Sequence, residues 1–194
     1  MTSTSVSLLD RLRHEPDEQA WESLVELYSP LIRAYLARYI NIPDDSDDLL
    51  QNVLIFFSRK LRDFEHNQRT GAFRNWLRMI TVNTVREFWR ARRVQPVGTG
   101  DNDFQNLLAQ LEDPHSDASR RWNQEHDEYV TARLLKVIRR DFEEQTWQAF
   151  ERLTLNEVPA AQVASELGMT PNAVYIAKSR VLARLRREAK GLID

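Results

Sequence analysis

Apolar residues recur at helical spacing along nearly the whole chain, and no segment shows the apolar–polar alternation of a half-buried strand. The pattern therefore predicts an all-α protein. A first helix is predicted to begin at Asp17, a plausible N-cap, and to end before Pro30. Because proline suits the first turn of a helix, a second helix is predicted from Pro30 to about Ile40.

Two further helices complete the N-terminal half of the prediction. The third starts near Asp45 or Ser46 and runs to about Phe64, with several aspartates in its first turn, where the helix dipole favours negative charge. The fourth starts at Thr70 or Gly71 and runs to about Arg92. Four helices of this length can pack as one compact N-terminal bundle.

The C-terminal part predicts a helix-turn-helix motif. A helix over 119–138 and another around 147–153 come first. A short helix from Ala160 to Leu167 then stops at Gly168, which suits the position after a helix end. Thr170 is the expected N-cap of a longer basic helix whose first residue is Pro171. A short helix, a glycine-containing turn and a basic helix are typical of helix-turn-helix domains that bind DNA.

The segment between these halves, 94–118, is predicted to be a flexible acidic linker. It contains proline, glycine and many acids, so it divides the chain into a domain at 1–93 and a domain at 119–194. Four apolar residues inside it nevertheless have helical spacing and could form a short helix or dock on a partner: Phe104, Leu107, Leu108 and Leu111.

Composition narrows the functional classes. The chain has no cysteine, which excludes disulfides and thiolate metal sites, and its four histidines show no ligand spacing. No apolar run approaches the roughly 20 residues of a membrane helix, and the N-terminus lacks the pattern of a signal peptide. A cytoplasmic protein without membrane insertion is expected. We find no pattern for a catalytic site, and neither a cofactor nor a metal is expected.

The net charge of −2 conceals strong segregation. Residues 66–93 hold seven arginines and one acid, residues 94–130 hold eight acids and two arginines, and residues 175–190 hold six basic residues and one acid. Two basic blocks flanking an acidic one indicate two anion-binding surfaces.

The first basic block, from Phe64 to Arg93, combines arginines with aromatic residues. Arginines neutralise phosphates and aromatic rings can stack on unpaired bases, so the block favours DNA held partly single-stranded. The aromatic spacing is also that of a helix core, and for Trp76 we predict packing. The better candidates for DNA contact are polar residues of the loop and of one helix side: Asn67, Gln68, Arg69, Asn83, Arg86, Arg90 and Arg93.

The helix-turn-helix supplies the second candidate DNA surface. Helical spacing turns Ala164, Leu167, Val174, Val181 and Leu185 inward. Arginine and asparagine can read base edges, tyrosine and isoleucine can contact a thymine methyl, and a helix N-terminus suits a phosphate. The residues predicted to face the duplex, the N-cap and the basic end included, are Thr170, Asn172, Tyr175, Ile176, Ser179, Arg180 and Arg184.

The third predicted helix carries acids followed by five consecutive apolar residues, 53–57, which point all round a helix. Some of them cannot face the core of their own bundle, which indicates a protein-docking face. A metal site or an acid/base pair would be alternative uses of the carboxylates. However, the spacing is not that of an EF-hand, and no nucleophile or glycine-rich loop accompanies them.

These residues resemble the bacterial RNA polymerase sigma factors of the extracytoplasmic function type. DDSDDLLQNVLIFFSRKL resembles the polymerase-binding helix of that family, and TGAFRNWLRMITVNTVREFWRARR resembles the segment that recognises and melts the −10 promoter element. VPAAQVASELGMTPNAVYIAKSRVLARLR resembles the helix-turn-helix that reads the −35 element. The three motifs occur in the family's order, separated by a linker.

The resemblance implies a non-enzymatic, alternative sigma factor that binds core RNA polymerase, directs it to promoter DNA and helps to melt the −10 region. It implies a monomer when free of partners, and an anti-sigma protein is a family expectation. The loop from Phe64 to Gly71 would form a pocket for a flipped −10 base. The polymerase contacts would be made by Asp47, Asp48, Gln51, Asn52 and Ile55.

Three departures from the family pattern bear on function. Asn52 replaces a usual glutamate, Pro159 replaces a usual capping serine, and Tyr175-Ile176-Ala177 stands where Lys/Arg-Ser-Arg is common. The last departure favours an unusual −35 sequence. The alternative hypothesis is a free-standing helix-turn-helix regulator, which leaves the two N-terminal motifs unexplained.

Overall fold

The computed structural model describes residues 9, 12, 18–39, 46–61, 63–64, 71–92 and 101–193. Within them every regular element is helical, which confirms the predicted all-α class. The helices are α1 (Glu18–Tyr39), α2 (Ser46–Leu61), α3 (Ala72–Arg92), α4 (Asp101–Glu112), α5 (Asp117–Ile138), α6 (Glu144–Phe150), α7 (Ala160–Leu167) and α8 (Pro171–Ala189). No described helix is both long and apolar enough to cross a bilayer.

The chain divides into two compact units. Unit 1 comprises Met1–Val130 with Gly191–Asp194, and unit 2 comprises Thr131–Lys190. This division falls inside α5, twelve residues beyond the predicted end of the linker at 118. The predicted linker also contains a helix, α4, whose Leu108 and Leu111 are buried. Leu108 and Leu111 of the predicted apolar stripe thus pack against their own chain.

Helix α1 corrects one prediction. The sequence predicted a break at Pro30, but α1 continues through it from Glu18 to Tyr39. Pro30 lies on the exposed side of the helix, whereas Tyr28 and Ile32 on either side of it are fully buried. Packing of these neighbours outweighs the hydrogen bond that a proline cannot donate.

The core of unit 1 is aromatic. The rings of Tyr28 on α1, Phe57 on α2 and Phe73 on α3 approach one another with centroid distances between 5.6 and 6.5 Å. The first half of α5 packs on the same bundle, because the Trp122 ring meets Tyr35 edge-on at 4.0 Å. Aromatic pairs of this kind contribute stability beyond the apolar area that they bury.

Unit 2 has two apolar clusters. One joins α7 and α8 to Ala149 of α6 through Val163, Ala164 and Val174, and the other groups Ile138, Trp147, Phe150 and Val181. The helix that was predicted around 147–153 is α6 followed by a π-helical turn, Glu151–Leu155.

The helix-turn-helix forms as predicted. Helix α7 has the predicted bounds, and Gly168 after it adopts φ +63°, the left-handed conformation that glycine tolerates. The hydroxyl of Thr170 accepts a hydrogen bond from the Ala173 amide at 3.1 Å, so Thr170 caps α8 as predicted. Pro159 precedes α7 without a capping side chain, in line with the departure noted in the sequence.

Candidate nucleic-acid and protein interfaces

The exposed face of α2 brings together most of the residues predicted to bind polymerase. Asp48, Gln51, Asn52 and Ile55 are spaced by three or four residues and all are exposed, with Ile55 48% accessible. The apolar neighbours Val53 and Phe57 turn into the core instead. A half-exposed isoleucine among polar groups is suited to burial against another protein.

Asp47 is exposed too, but it also faces α1. Its carboxylate lies 2.9 Å from the Arg33 guanidinium, and both side chains are more than half exposed. An ion pair as exposed as this contributes little to stability. Asp47 is therefore available to a partner that displaces Arg33.

Phe64, predicted to contact −10 DNA, is buried in the core of unit 1. It is 6% accessible, and its ring centroid lies 4.8 Å from Trp76 and 5.6 Å from Phe73. The side chain therefore anchors the start of the loop and does not face DNA. The predicted packing role of Trp76 is supported by its ring contacts with Phe57 and Phe64. Asn67, Gln68 and Arg69 lie outside the described residues.

Gly71 sets the entry to α3. Its φ of +76° is left-handed, and a Cβ at this position would lie 2.5 Å from the Nε of Arg74. The close approach is possible only for glycine without moving that guanidinium. Gly71 thus lets the Arg74 side chain fold back over the start of α3.

Arg74 forms an ion pair with the acidic segment, residues 94–130. Its guanidinium pairs with the Asp127 carboxylate on α5 and donates to the carbonyl oxygen of Ile193 at 3.2 Å. The sequence predicted no role for this arginine or for Asp127. The two residues are 53 positions apart, so no local pattern could have joined them.

Arg78 is a buried cation. It is 2% accessible and donates to the Asn123 Oδ1 at 3.1 Å and to the Ser119 carbonyl at 3.4 Å. Burial lowers the pKa of its guanidinium, which nonetheless stays charged at neutral pH because arginine titrates so high. Arg78 therefore ties α3 to the first half of α5 and is unavailable to phosphate.

Three polar residues of α3 were predicted to contact −10 DNA, and they differ in exposure. Asn83 and Arg90 are exposed, whereas Arg86 is half-buried and pairs with Glu112 at the end of α4. The hydrogen bond with Glu112 raises the pKa of Arg86, and the same bond lowers the pKa of Glu112. Arg93 lies outside the described residues.

A buried histidine lies beside the Arg74 pair. The ring of His126 stacks on Tyr28 at 5.7 Å, its Nδ1 lies 2.9 Å from the Asp127 carboxylate and its Nε2 lies 3.3 Å from the Tyr28 hydroxyl. Burial lowers the pKa of His126, and the hydrogen bond to Asp127 opposes this effect only in part. The imidazole is therefore neutral near pH 7, and its function is structural.

Helix α8 presents the second candidate surface. Val174 and Val181 are buried as predicted, and Ala177, which the sequence did not assign to the inward face, is buried with them. The predicted outer residues share the opposite face and line one shallow depression, which also includes Ala183: Asn172, Tyr175, Ile176, Ser179 and Arg180. Within the described part of the chain, Arg180 forms no ion pair.

Two predicted −35 contacts are engaged within unit 2. The Nε of Arg184 lies 2.9 Å from the Asp141 carboxylate, and its Nη1 pairs with Glu188. Burial would lower the pKa of Arg184, but its bonds to Glu188 and Asp141 raise it. Thr170 uses its hydroxyl to cap α8. Among the described residues, no cluster of three or more histidine and acidic side chains has the arrangement of a metal site.

Comparisons with known proteins show which family the chain is similar to. Residues 24–94, which include α2 and α3, match the family model described as Sigma-70 region 2. The chain is 31% identical over 153 residues to an RNA polymerase sigma-E factor of Streptomyces coelicolor, covering 78% of this chain and 75% of that protein.

Two further relatives have similar coverage. An RNA polymerase sigma-E factor of Streptomyces avermitilis is 30% identical over 152 residues, which span 78% of this chain and 74% of the relative. The RNA polymerase sigma factor NccH of Alcaligenes xylosoxydans xylosoxydans is 28% identical over 144 residues, 72% of each chain. The similarity thus extends well beyond the region 2 match.

Proposed function

The chain belongs to the bacterial RNA polymerase sigma factors of the extracytoplasmic function type. We propose that α2 binds core polymerase, whereas α3 and α8 recognise the promoter. The protein is an alternative sigma factor that directs RNA polymerase to promoters. The family is not known to be enzymatic. Core RNA polymerase and promoter DNA are accordingly its partners.

Helix α2 binds core polymerase through Asp48, Gln51, Asn52 and Ile55, with Asp47 at the edge of the contact. Exposure of all five side chains supports this assignment, and burial of the half-exposed Ile55 supplies apolar contact. Asn52 contributes a neutral amide where the family pattern has a glutamate. The interface is therefore less acidic at its centre than the family pattern.

Unit 1 captures and opens the −10 element. Asn83 and Arg90 lie on the exposed side of α3, with Arg86 one turn from each along the same helix. The loop containing Asn67, Gln68 and Arg69 precedes α3 in sequence and supplies the pocket for the flipped base. Melting is driven by binding energy, since capture of the base offsets the roughly few kcal/mol needed to unstack it.

Helix α8 reads the −35 element in the major groove. This assignment is supported by five side chains that lie together on one exposed face of the helix: Asn172, Tyr175, Ile176, Ser179 and Arg180. Thr170 lies at the N-terminus of the helix, where backbone amides attract a phosphate. Arg184 joins this contact only by exchanging its carboxylate partners for phosphate.

Unit 1 binds the −10 element and unit 2 the −35 element, so α4, within the predicted linker 94–118, belongs to the −10-binding unit. The free protein is a cytoplasmic monomer, and an anti-sigma protein is the regulator that the family pattern leads us to expect. These assignments follow the family pattern that the sequence resembles.

The main support for the proposed function is the presence, within one matched region, of an exposed polar–apolar face on α2 next to an arginine-rich α3. The test is the affinity for core polymerase of the intact chain and of a double variant, Gln51→Ala with Ile55→Asp. We expect the variant to bind core at least tenfold more weakly while retaining its helical circular dichroism. Glu22→Ala, an exposed change on α1, is the control and should bind core normally.

The alternative is a free-standing regulator that needs no polymerase. It predicts that the α2 variant and the intact chain behave alike, and that both bind duplex DNA tightly without core. That result would overturn the proposal.

A further inference from the structure

The exposed face of α8 is unusually apolar for a surface that meets DNA. Tyr175 is 54% and Ile176 48% accessible, and these adjacent residues lie in the second turn of the helix. The inward positions on α8 are already filled by Val174, Ala177 and Val181, so unit 2 has no core space for either side chain. Their apolar surface is therefore available to a ligand.

The major groove offers one apolar group to such a surface. Base edges there present hydrogen-bond donors and acceptors, except for the C5 methyl of thymine. The side chain of Ile176 cannot satisfy a donor or an acceptor, so placing it against the amino group of cytosine would desolvate that group without a partner. A thymine methyl in the same position is buried favourably.

Polar residues bracket this apolar pair along the helix. Asn172 lies one turn before Ile176, and Ser179 and Arg180 lie one turn after it, on the same exposed face. An asparagine amide can pair with adenine and an arginine guanidinium with guanine. Since Arg184 is bound to Asp141 and Glu188, Arg180 is the arginine of this face best placed to reach a base.

We propose that Tyr175 and Ile176 read thymine C5 methyl groups in the −35 element, so that the methyl pattern of the duplex determines which promoters this sigma factor selects. The inference rests on the proposed function, because it assigns a ligand to the −35-reading face of α8. It identifies Tyr175 and Ile176, which stand where the family commonly has Lys/Arg-Ser, as specificity determinants.

The test begins with the holoenzyme formed from the chain and core polymerase, and with the −35 sequence that this holoenzyme selects from a promoter library. Each thymine of that element, on either strand, is then replaced singly by deoxyuridine, which removes only the methyl group. We expect one or two of these replacements to weaken holoenzyme binding about fourfold each, the effect of one buried methyl. Replacements in the spacer should have no effect.

Two variants test whether Ile176 and Tyr175 are the side chains that contact the thymine methyl groups. At the position that Ile176 reads, the Ile176→Ser variant should bind the thymine promoter and the deoxyuridine promoter with equal affinity. The Tyr175→Ser variant should show the same equality at the position that Tyr175 reads. Arg180→Ala is the matched control on the same face. It should weaken binding to every promoter but keep the difference between thymine and deoxyuridine.

The outcomes separate the inference from the proposed function. Selective promoter opening combined with equal affinity for thymine and deoxyuridine would overturn the inference and leave the sigma function intact. Failure to bind core polymerase would overturn both.

Discussion

Helices α3 and α8 are both rich in basic residues and both are assigned to DNA, yet their side chains are used differently. On α3, Arg74 and Arg86 pair with acids of the segment that follows, and Arg78 is buried. On α8, the reading face from Asn172 to Arg180 is exposed, and its position is fixed by the Thr170 cap and an apolar inner face.

The comparison shows that a count of charges overstates a binding surface. The excess of arginines over 66–93 predicted a free anion-binding face. Part of that excess is offset within unit 1, where Asp127 and Glu112 belong to the acidic stretch that follows in sequence. The acidic segment therefore stabilises unit 1 and offsets part of the positive charge of α3.

The largest expected difference between the two helices concerns stability. Arg78→Ala should lower the free energy of unfolding by about 3 kcal/mol, because it leaves a cavity and removes the buried donor to Asn123 and Ser119. Arg180→Ala, an exposed arginine on α8, should change it by less than about 0.5 kcal/mol. Urea denaturation of both variants measures the difference. Similar values for the two would contradict the distinct roles of these arginines.

The second expected difference is a dependence on pH that belongs to unit 1. Burial lowers the pKa of His126 below its ordinary value, so the unfolded chain binds a proton more readily than the folded one as the pH falls below about 6.5. This residue should therefore destabilise the folded state progressively as the pH falls through that range, by at most about 1.4 kcal/mol per pH unit.

Denaturant unfolding between pH 7.5 and 5.5 measures this slope. The variant His126→Gln should show a shallower slope than the intact chain, whatever its absolute stability. An NMR titration of the intact protein provides the control, since it reads the pKa of His126 directly. A pKa at or above 6.5 would contradict the expected dependence.

The smallest expected effect concerns Arg86, which pairs with Glu112. Glu112→Gln should raise the affinity of the isolated chain for single-stranded −10 DNA by up to about fivefold, because Arg86 loses its carboxylate partner. Glu128→Gln makes the same change in net charge on α5, where Glu128 accepts a hydrogen bond from Gln124. Equal gains from both variants would show that net charge alone matters and that Glu112 does not cover Arg86.

Local signals explain which parts of the fold the sequence could predict. Helices α7 and α8 follow from Gly168, Thr170 and Pro171, whose effects act within one turn. At Pro30 the local rule failed, because burial of Tyr28 and Ile32 keeps α1 continuous.

In the candidate sites, too, only the features that depend on local sequence could be predicted. The exposed face of α8 was predictable from helical spacing. Once Val174 and Val181 are placed on the inward side of the helix, the five outer residues follow from their positions along the chain. Burial of Phe64 and the pairing of Arg74 with Asp127 depend on contacts that are not local in sequence. Such contacts cannot be inferred from composition or spacing.

The most direct test of the central claim is open-complex formation by sigma-free bacterial core polymerase on a promoter library, with and without the purified chain. We expect the chain to let core open a restricted subset of promoters that share one −35 and one −10 sequence, whereas core alone should open none of them. Absence of opening, together with tight duplex binding by the chain alone, would contradict a sigma factor and indicate a free regulator.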